Sequence, residues 1–148
     1  MFNHPNITEV IHTTLPYGDY RAEFIDGYRP PFVFERKGLG DLFGSLSKGY
    51  KRLKKRINQA IDDNVVFIII IEASLTKIGK GYKHSSRGGN EIIQQLFTLM
   101  IKHKIPFVCC SNATEMSNWI AEFYSALGRE QVRKEKENGR KNMSDTKQ

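Results

Sequence analysis

Residues 17–46 read YGDYRAEFIDGYRPPFVFERKGLGDLFGSL, and this stretch decides the predicted fold. Two of its segments, residues 17–25 and 32–37, contain aromatic and β-branched residues that favour strands. The Asp26-Gly27 pair between them is a strong turn signal. We therefore expect the two segments to pair as an antiparallel hairpin.

Downstream of the hairpin, predicted helices and strands alternate. Apolar residues at helical spacing predict a helical stretch over residues 42–61, and Gly49 favours a break that would divide it into two helices. Residues 65–71 are a continuous β-branched and aromatic run, which is typical of a strand buried on both faces. The remaining predicted elements are a loop at 73–89, a helix at 91–103, a strand at 105–110 and a helix that follows Asn112 and stops at Gly128. This alternation indicates an α/β domain with a central mixed β-sheet flanked by helices.

Two carboxylates and a lysine converge on the predicted hairpin. Glu35 and Lys37 are two positions apart in a strand, so their side chains project from the same face. Asp19 lies on the partner strand, where it can meet Glu35. Carboxylate oxygens suit Mg²⁺, which polarises a phosphoryl oxygen and activates bound water, while a lysine stabilises developing charge. The pattern favours metal-assisted phosphodiester hydrolysis, and a surface ion pair is the alternative for Glu-x-Lys alone.

The same residues carry the signature of a known family. Gly18-Asp19, then Glu35-Arg36-Lys37, and Asp41 four residues later resemble the GD…ERKxxxD signature of the XPF-type nuclease domain. The resemblance implies a restriction-endonuclease-like core, dependence on Mg²⁺ with Mn²⁺ as a substitute, dimer formation, and cleavage of flaps, forks or junctions in DNA.

The resemblance also implies roles for individual residues. Asp19 and Glu35 would hold the metal, and Lys37 would serve catalysis. Asp41 and Arg36 would support them, although Asp41 also fits a helix N-cap and Arg36 a salt bridge on the far face of the strand. Glu72, at the end of a buried strand, is a candidate accessory ligand or water-positioning residue. The candidate catalytic residues are therefore Asp19, Glu35, Arg36, Lys37 and Asp41.

The sequence departs from the family in the predicted helical stretch. Family members usually continue with a Gly-Arg step and then a Gln, whereas this chain has Gly49-Tyr50 and Lys54. The preferred DNA structure and the partner therefore stay open. We expect a homodimeric endonuclease of repair, recombination or replication that acts on branched DNA. Two alternatives are a non-catalytic DNA-binding or scaffold subunit, and a Holliday-junction resolvase or restriction-type enzyme on the same core.

The charge of the chain is concentrated beside this signature. The 148 residues include 23 Lys and Arg against 16 Asp and Glu, a net charge of +7. Residues 31–60 contain eight basic and two acidic residues, a net charge of +6. Because no acid lies within residues 42–61, ion pairing inside that stretch does not account for its bases. Phosphate contact is favoured over a merely solvated face. The candidate DNA-contacting residues here and in the following loop are Lys48, Lys51, Arg52, Lys55, Arg56, Lys80, Lys83 and Arg87.

Composition excludes several other classes. The longest apolar run has seven residues, far fewer than the ~20 that a membrane helix needs. The loop at 77–84 lacks the GxxxxGK[ST] pattern, so no nucleotide cofactor is expected. Two adjacent cysteines form no disulfide framework, which favours an intracellular protein. It would act in the cytoplasm, at the nucleoid or in a virus- or phage-infected host cell, or in the nucleus if eukaryotic. We expect a nuclease domain over residues 1–128 and a disordered basic and polar tail over 129–148.

Overall fold

The computed structural model describes residues 2–147. Met1 and Gln148, the outer ends of the predicted domain and tail, lie outside the described residues. Five helices and three strands are assigned within this part of the chain. They are, in chain order, β1 (Phe32–Lys37), α1 (Leu39–Ser45), α2 (Tyr50–Asp62), β2 (Val66–Ile71), α3 (Leu75–Gly79), α4 (Gly89–His103), β3 (Phe107–Cys109) and α5 (Ala113–Asp145).

The three strands form one parallel sheet in the order β1-β2-β3. In the β1–β2 register, Glu35 is opposite Ile69 and Lys37 is opposite Ile71. Parallel neighbours need a crossover, and helices supply it on both sides of β2. Five of the six β2 residues are buried, as the continuous apolar run predicts. The α/β class and the helix-flanked sheet are therefore confirmed.

The predicted hairpin is wrong as a pairing of two full strands. Residues 17–25 form no strand, and their pairing with β1 is limited to an isolated antiparallel bridge between Tyr20 and Phe34. The Asp-Gly turn is real but local, since the Phe24 N–H donates to the Tyr28 carbonyl at 2.8 Å and the Gly27 N–H donates to the Phe24 carbonyl at 2.8 Å. Pro30 and Pro31 have no N–H to extend that ladder toward β1. β1 pairs in parallel with β2 along its whole length. The Tyr20–Phe34 bridge adds one antiparallel contact to this otherwise parallel sheet.

One predicted helical stretch is divided in two, and one predicted loop contains a short helix. The stretch 42–61 divides into α1 and α2 at a turn over residues 46–49, in which Gly49 is the N-cap residue of α2, as its glycines predict. The predicted loop at 73–89 contains the short helix α3, whose first turn is capped by Ser74 Oγ accepting from the Lys77 N–H at 3.0 Å.

One compact unit, residues 11–116, contains the sheet and the main apolar core. The inward face of α2 contributes Leu53 and Ile57, which pack in the same cluster as Val33 of β1. Glu35 and Lys37 share the face of Val33 by strand parity, and both are buried. The fold therefore places two charged side chains at the margin of its core.

A second unit comprises, among the described residues, 2–10 and 117–147. His4 Nε2 lies 2.7 Å from Glu122 Oε1, and Asn6 Nδ2 donates to Ser125 Oγ at 3.0 Å. No helix among the described residues combines the length and apolar character that a membrane span requires.

The prediction of a disordered tail from residue 129, and of a helix stop at Gly128, differs from the structure. Helix α5 continues to Asp145, although nearly all of its residues beyond Gly128 are exposed. Glu, Lys, Arg and Gln are good helix formers, and Arg133 pairs with Glu130 at 2.8 Å. Low apolar content predicts that a segment will not pack, but it does not prevent a helix.

Candidate active site

A sharp backbone turn places Asp19 against β1. Gly18 has φ = +74°, a left-handed conformation that favours glycine. The Asp19 N–H donates to the Phe34 carbonyl at 2.7 Å, and Asp19 Oδ2 accepts from the Arg36 N–H at 2.7 Å. The carboxylate is therefore held by the backbone of the strand that carries Glu35.

One oxygen of the Glu35 carboxylate contacts two cationic side chains, and the other oxygen has no hydrogen-bond partner. Its side chain is only 2% exposed. Oε1 lies 3.3 Å from Lys37 Nζ and 2.9 Å from a guanidinium nitrogen of Arg56, which α2 contributes. Oε2 is buried and has no hydrogen-bond partner. A buried carboxylate oxygen without a protein partner can accept from a water or bind a ligand.

Burial and the neighbouring carboxylate of Asp19 both act to raise the pKa of Glu35. Desolvation raises the pKa of Glu35, and the charge of Asp19 raises it further. The positive charges of Arg56 and Lys37 act in the opposite direction, but the net pKa is above the ordinary value. A carboxylate pair with adjacent cations and a perturbed pKa is typical of a functional site.

Asp19 and Glu35 can hold a divalent cation only if waters or a substrate phosphate supply its remaining ligands. Among residues 2–147, no three His, Cys, Asp or Glu side chains are grouped closely enough to hold a metal ion by themselves. Mg²⁺, however, usually keeps several waters and is bound through one or two carboxylates plus substrate phosphate. Asp19 and the unpartnered oxygen of Glu35 suit that mode, so these two residues would hold the ion.

Three further candidate residues, Arg36, Asp41 and Glu72, line an open cleft of about 550 Å³. Arg36 Nε pairs there with Glu72 Oε1 at 2.7 Å, and a hydrogen bond with Tyr20 and this pairing raise the pKa of Arg36. Asp41 is exposed in the first turn of α1, where Gly38 is the N-cap residue, so the N-cap alternative for Asp41 is wrong. The cleft is lined by Asp19, Tyr20, Arg36, Gly38, Asp41 and Glu72.

The structure thus divides the predicted catalytic residues between the two faces of β1. Glu35 and Lys37 lie on the core-facing side, and Arg36 on the cleft side, as the alternation of a strand requires. Asp19 takes part in both groups, because it lines the cleft and its charge acts on Glu35. It is the link between the buried carboxylate and the open surface.

The predicted DNA-contacting residues are in three kinds of environment. Six are exposed or partly exposed and accessible to a phosphate backbone, namely Lys48, Lys51, Arg52, Lys55, Lys80 and Lys83. Arg87 is engaged within the protein, since it donates to the Leu46 carbonyl at 2.7 Å and to Gln95 Oε1 at 2.9 Å. Arg56 turns inward to Glu35. DNA contact stays a prediction for all eight residues.

Two residues of this region are outside the predicted catalytic set. The sequence predicts Arg56 only as part of a basic face, although Arg56 lies three residues after Leu53 and one before Ile57, at the margin of the buried face of α2. That position was the signal for an inward side chain. Tyr20, which lines the cleft, follows Asp19 directly but has no distinguishing pattern of its own.

Comparison with known families gives a match over most of the chain. A family model described as the ERCC4 domain matches residues 1–123, most of the chain and all of the residues that form the site. No curated protein matches the chain.

Proposed function

The chain belongs to the ERCC4-domain family, a family of structure-specific nucleases, and on that premise we propose that it is a Mg²⁺-dependent endonuclease acting on branched DNA. Mn²⁺ substitutes for Mg²⁺, and the substrate is a flap, fork or junction. DNA repair, recombination or replication inside the cell is the setting that such substrates imply.

One observation carries this proposal, the buried Glu35 carboxylate with one oxygen on Lys37 and the other without a partner. A surface ion pair would have both oxygens in water. The Glu-x-Lys spacing alone fits either interpretation, but the enclosure of the carboxylate beside Asp19 favours a ligand set over a surface pair.

The chain supplies positioning and electrostatics. A divalent cation bound here would polarise a phosphoryl oxygen and lower the pKa of water. Asp19 and Glu35 would be the residues that hold it beside β1. Lys37, held by Glu35, supplies a positive charge for the developing oxyanion. Arg36, Asp41 and Glu72 face the cleft, where an approaching DNA strand would meet them.

The carboxylates provide the direct test. Asp19→Asn and Glu35→Gln remove a hard anionic ligand with little change in shape, so we expect the cleavage rate to fall at least about a thousandfold while DNA binding persists. Cleavage is measured on a labelled panel of duplex, flap, fork and four-way junction, with Mg²⁺ or with EDTA. EDTA should abolish cleavage by the unmodified chain.

Asp26→Asn is the matched control. Asp26 accepts from the Tyr28 N–H in a surface turn, and an asparagine oxygen preserves that bond. This variant should cleave like the unmodified protein. Wild-type rates in the Asp19 and Glu35 variants with Mg²⁺ present would overturn the proposal, and the substrate panel identifies the DNA structure that is preferred.

A further inference from the structure

Arg56 differs from its basic neighbours on α2. Lys51, Arg52 and Lys55 are exposed, whereas the Arg56 side chain is 31% exposed and its guanidinium reaches Glu35 Oε1 at 2.9 Å. It therefore stands between the basic surface of α2 and the buried carboxylate.

The contact between Arg56 and Glu35 leaves two polar atoms unsatisfied. Glu35 Oε2 and Arg56 Nε are both buried without a hydrogen-bond partner. One is an acceptor that suits a divalent cation, and the other is a donor that suits a phosphate oxygen. Unmet buried groups of this kind favour a second arrangement in which each finds a partner.

The charges around Glu35 also favour a second position for the Arg56 guanidinium. Asp19 and Glu35 are balanced by Lys37 and Arg56 in the observed arrangement. A divalent cation on the carboxylates would add two positive charges a few ångströms from Arg56, and cations at that distance repel strongly in a partly buried site. The partly exposed guanidinium has an alternative, because DNA phosphates would lie along the same helix as the exposed Lys55.

Building on the proposed nuclease function, we propose that Arg56 exchanges partners. It pairs with Glu35 in the metal-free protein and with a DNA phosphate oxygen when the carboxylates hold a divalent cation. Arg56 is then a positioning residue that links metal occupancy to DNA affinity. Such coupling is reciprocal, so DNA must also raise the affinity for the metal.

The first experiment measures Mn²⁺ binding to the full chain without DNA, by electron paramagnetic resonance of the free ion. Arg56→Gln removes the internal competitor for Glu35, so we expect Mn²⁺ to bind about fivefold tighter or more. Lys55→Gln makes the same charge change one residue away on the exposed surface and should leave Mn²⁺ affinity unchanged. Circular dichroism verifies folding, and Arg56→Met replaces Arg56→Gln if that variant does not fold.

The second experiment measures affinity for a labelled DNA fork in EDTA and in Ca²⁺, which occupies oxygen ligands. In the unmodified chain the cation should raise DNA affinity by about fivefold or more, and Arg56→Gln should abolish most of this increase. Lys55→Gln should weaken DNA binding equally under both conditions and retain the increase.

The proposal is overturned if Arg56→Gln binds Mn²⁺ no more tightly than the unmodified chain, or if it retains the full increase in DNA affinity. Neither readout requires cleavage. Failure of the nuclease proposal, seen as no cleavage of any substrate by the unmodified chain, is thus distinguishable from failure of the Arg56 exchange.

Discussion

The left-handed backbone conformation of Gly18 positions Asp19, one of the two predicted metal ligands. Its φ of +74° turns the chain so that Asp19 meets β1, and a Cβ at this position would overlap with Cγ2 of Val33 in the core. The glycine of the Gly-Asp pair is therefore needed for both conformation and space.

We expect Gly18→Ala to lower the free energy of unfolding by about 2–5 kcal/mol, from backbone strain together with overpacking of Val33. It should also weaken Mn²⁺ binding, because Asp19 moves with the turn. Denaturant unfolding and Mn²⁺ titration measure the two effects.

Gly27→Ala separates strain from crowding. Gly27 has φ = +87° with open space around its Cβ position, so its substitution should cost only about 1–2 kcal/mol of strain and leave Mn²⁺ affinity intact. Equal effects of the two substitutions on stability and on Mn²⁺ binding would show that the contact with Val33 is unimportant.

At the scale of an element, α2 serves the core and the surface at once. Leu53 and Ile57 are buried on its inner face, and Lys51, Arg52 and Lys55 are exposed on its outer face. A helix repeats every 3.6 residues, so apolar and basic residues at these spacings segregate to opposite sides.

We expect neutralisation of Lys51, Arg52 and Lys55 to glutamine to weaken binding to all DNA sequences alike. Phosphate contacts release counterions, so the slope of log-affinity against log-salt should decrease in magnitude by about 1 for each phosphate that is no longer neutralised. Fluorescence anisotropy at several salt concentrations measures this slope.

A second triple variant on α5 controls for net charge. Lys134, Lys136 and Lys141 are exposed, and their substitution by glutamine makes the same change in total charge. If the α5 variant lowers the slope as much as the α2 variant, the effect comes from total charge and α2 is not the phosphate surface.

At the scale of the whole molecule, α4 and the edge strand β3 present apolar side chains to solvent. Phe97 and Ile101 are exposed one helical turn apart, with Ile101 71% exposed, and Val108 of β3 is exposed as well. The Phe97 ring packs on Phe107 of β3 with centroids 5.3 Å apart, which holds the two elements together. An exposed apolar surface of this kind is typical of an association site.

We expect the full chain to sediment as a homodimer, and Ile101→Glu to shift it to monomer, because a buried unpaired carboxylate is costly at an interface. Ile25→Glu is the control, since Ile25 is 94% exposed in a turn region outside α4. Sedimentation velocity distinguishes the species. A dimer that persists in Ile101→Glu would place the interface elsewhere.

Local patterns in the sequence were sufficient for most elements and for the family. The β1 run 32–37 and the α4 periodicity around 91–103 predicted those elements almost to the residue. Strand parity alone placed Glu35 and Lys37 on one face. These features depend on neighbours two to four positions apart, so a sequence contains them in full.

Only the tertiary structure decided the features that join distant segments. The sequence pattern paired β1 with residues 17–25, but the partner of β1 along its whole length is the buried apolar strand β2, in parallel. Residues 17–25 contact β1 through an isolated bridge, because Pro30 and Pro31, between the two segments, have no N–H to extend an antiparallel ladder. The approach of Arg56 to Glu35, across 21 positions, depends on how α2 packs against the sheet. The division of the site residues between the two faces of β1 follows from the same packing. The sequence by itself determined which chemical groups the site has, and the folded chain determined which of them meet.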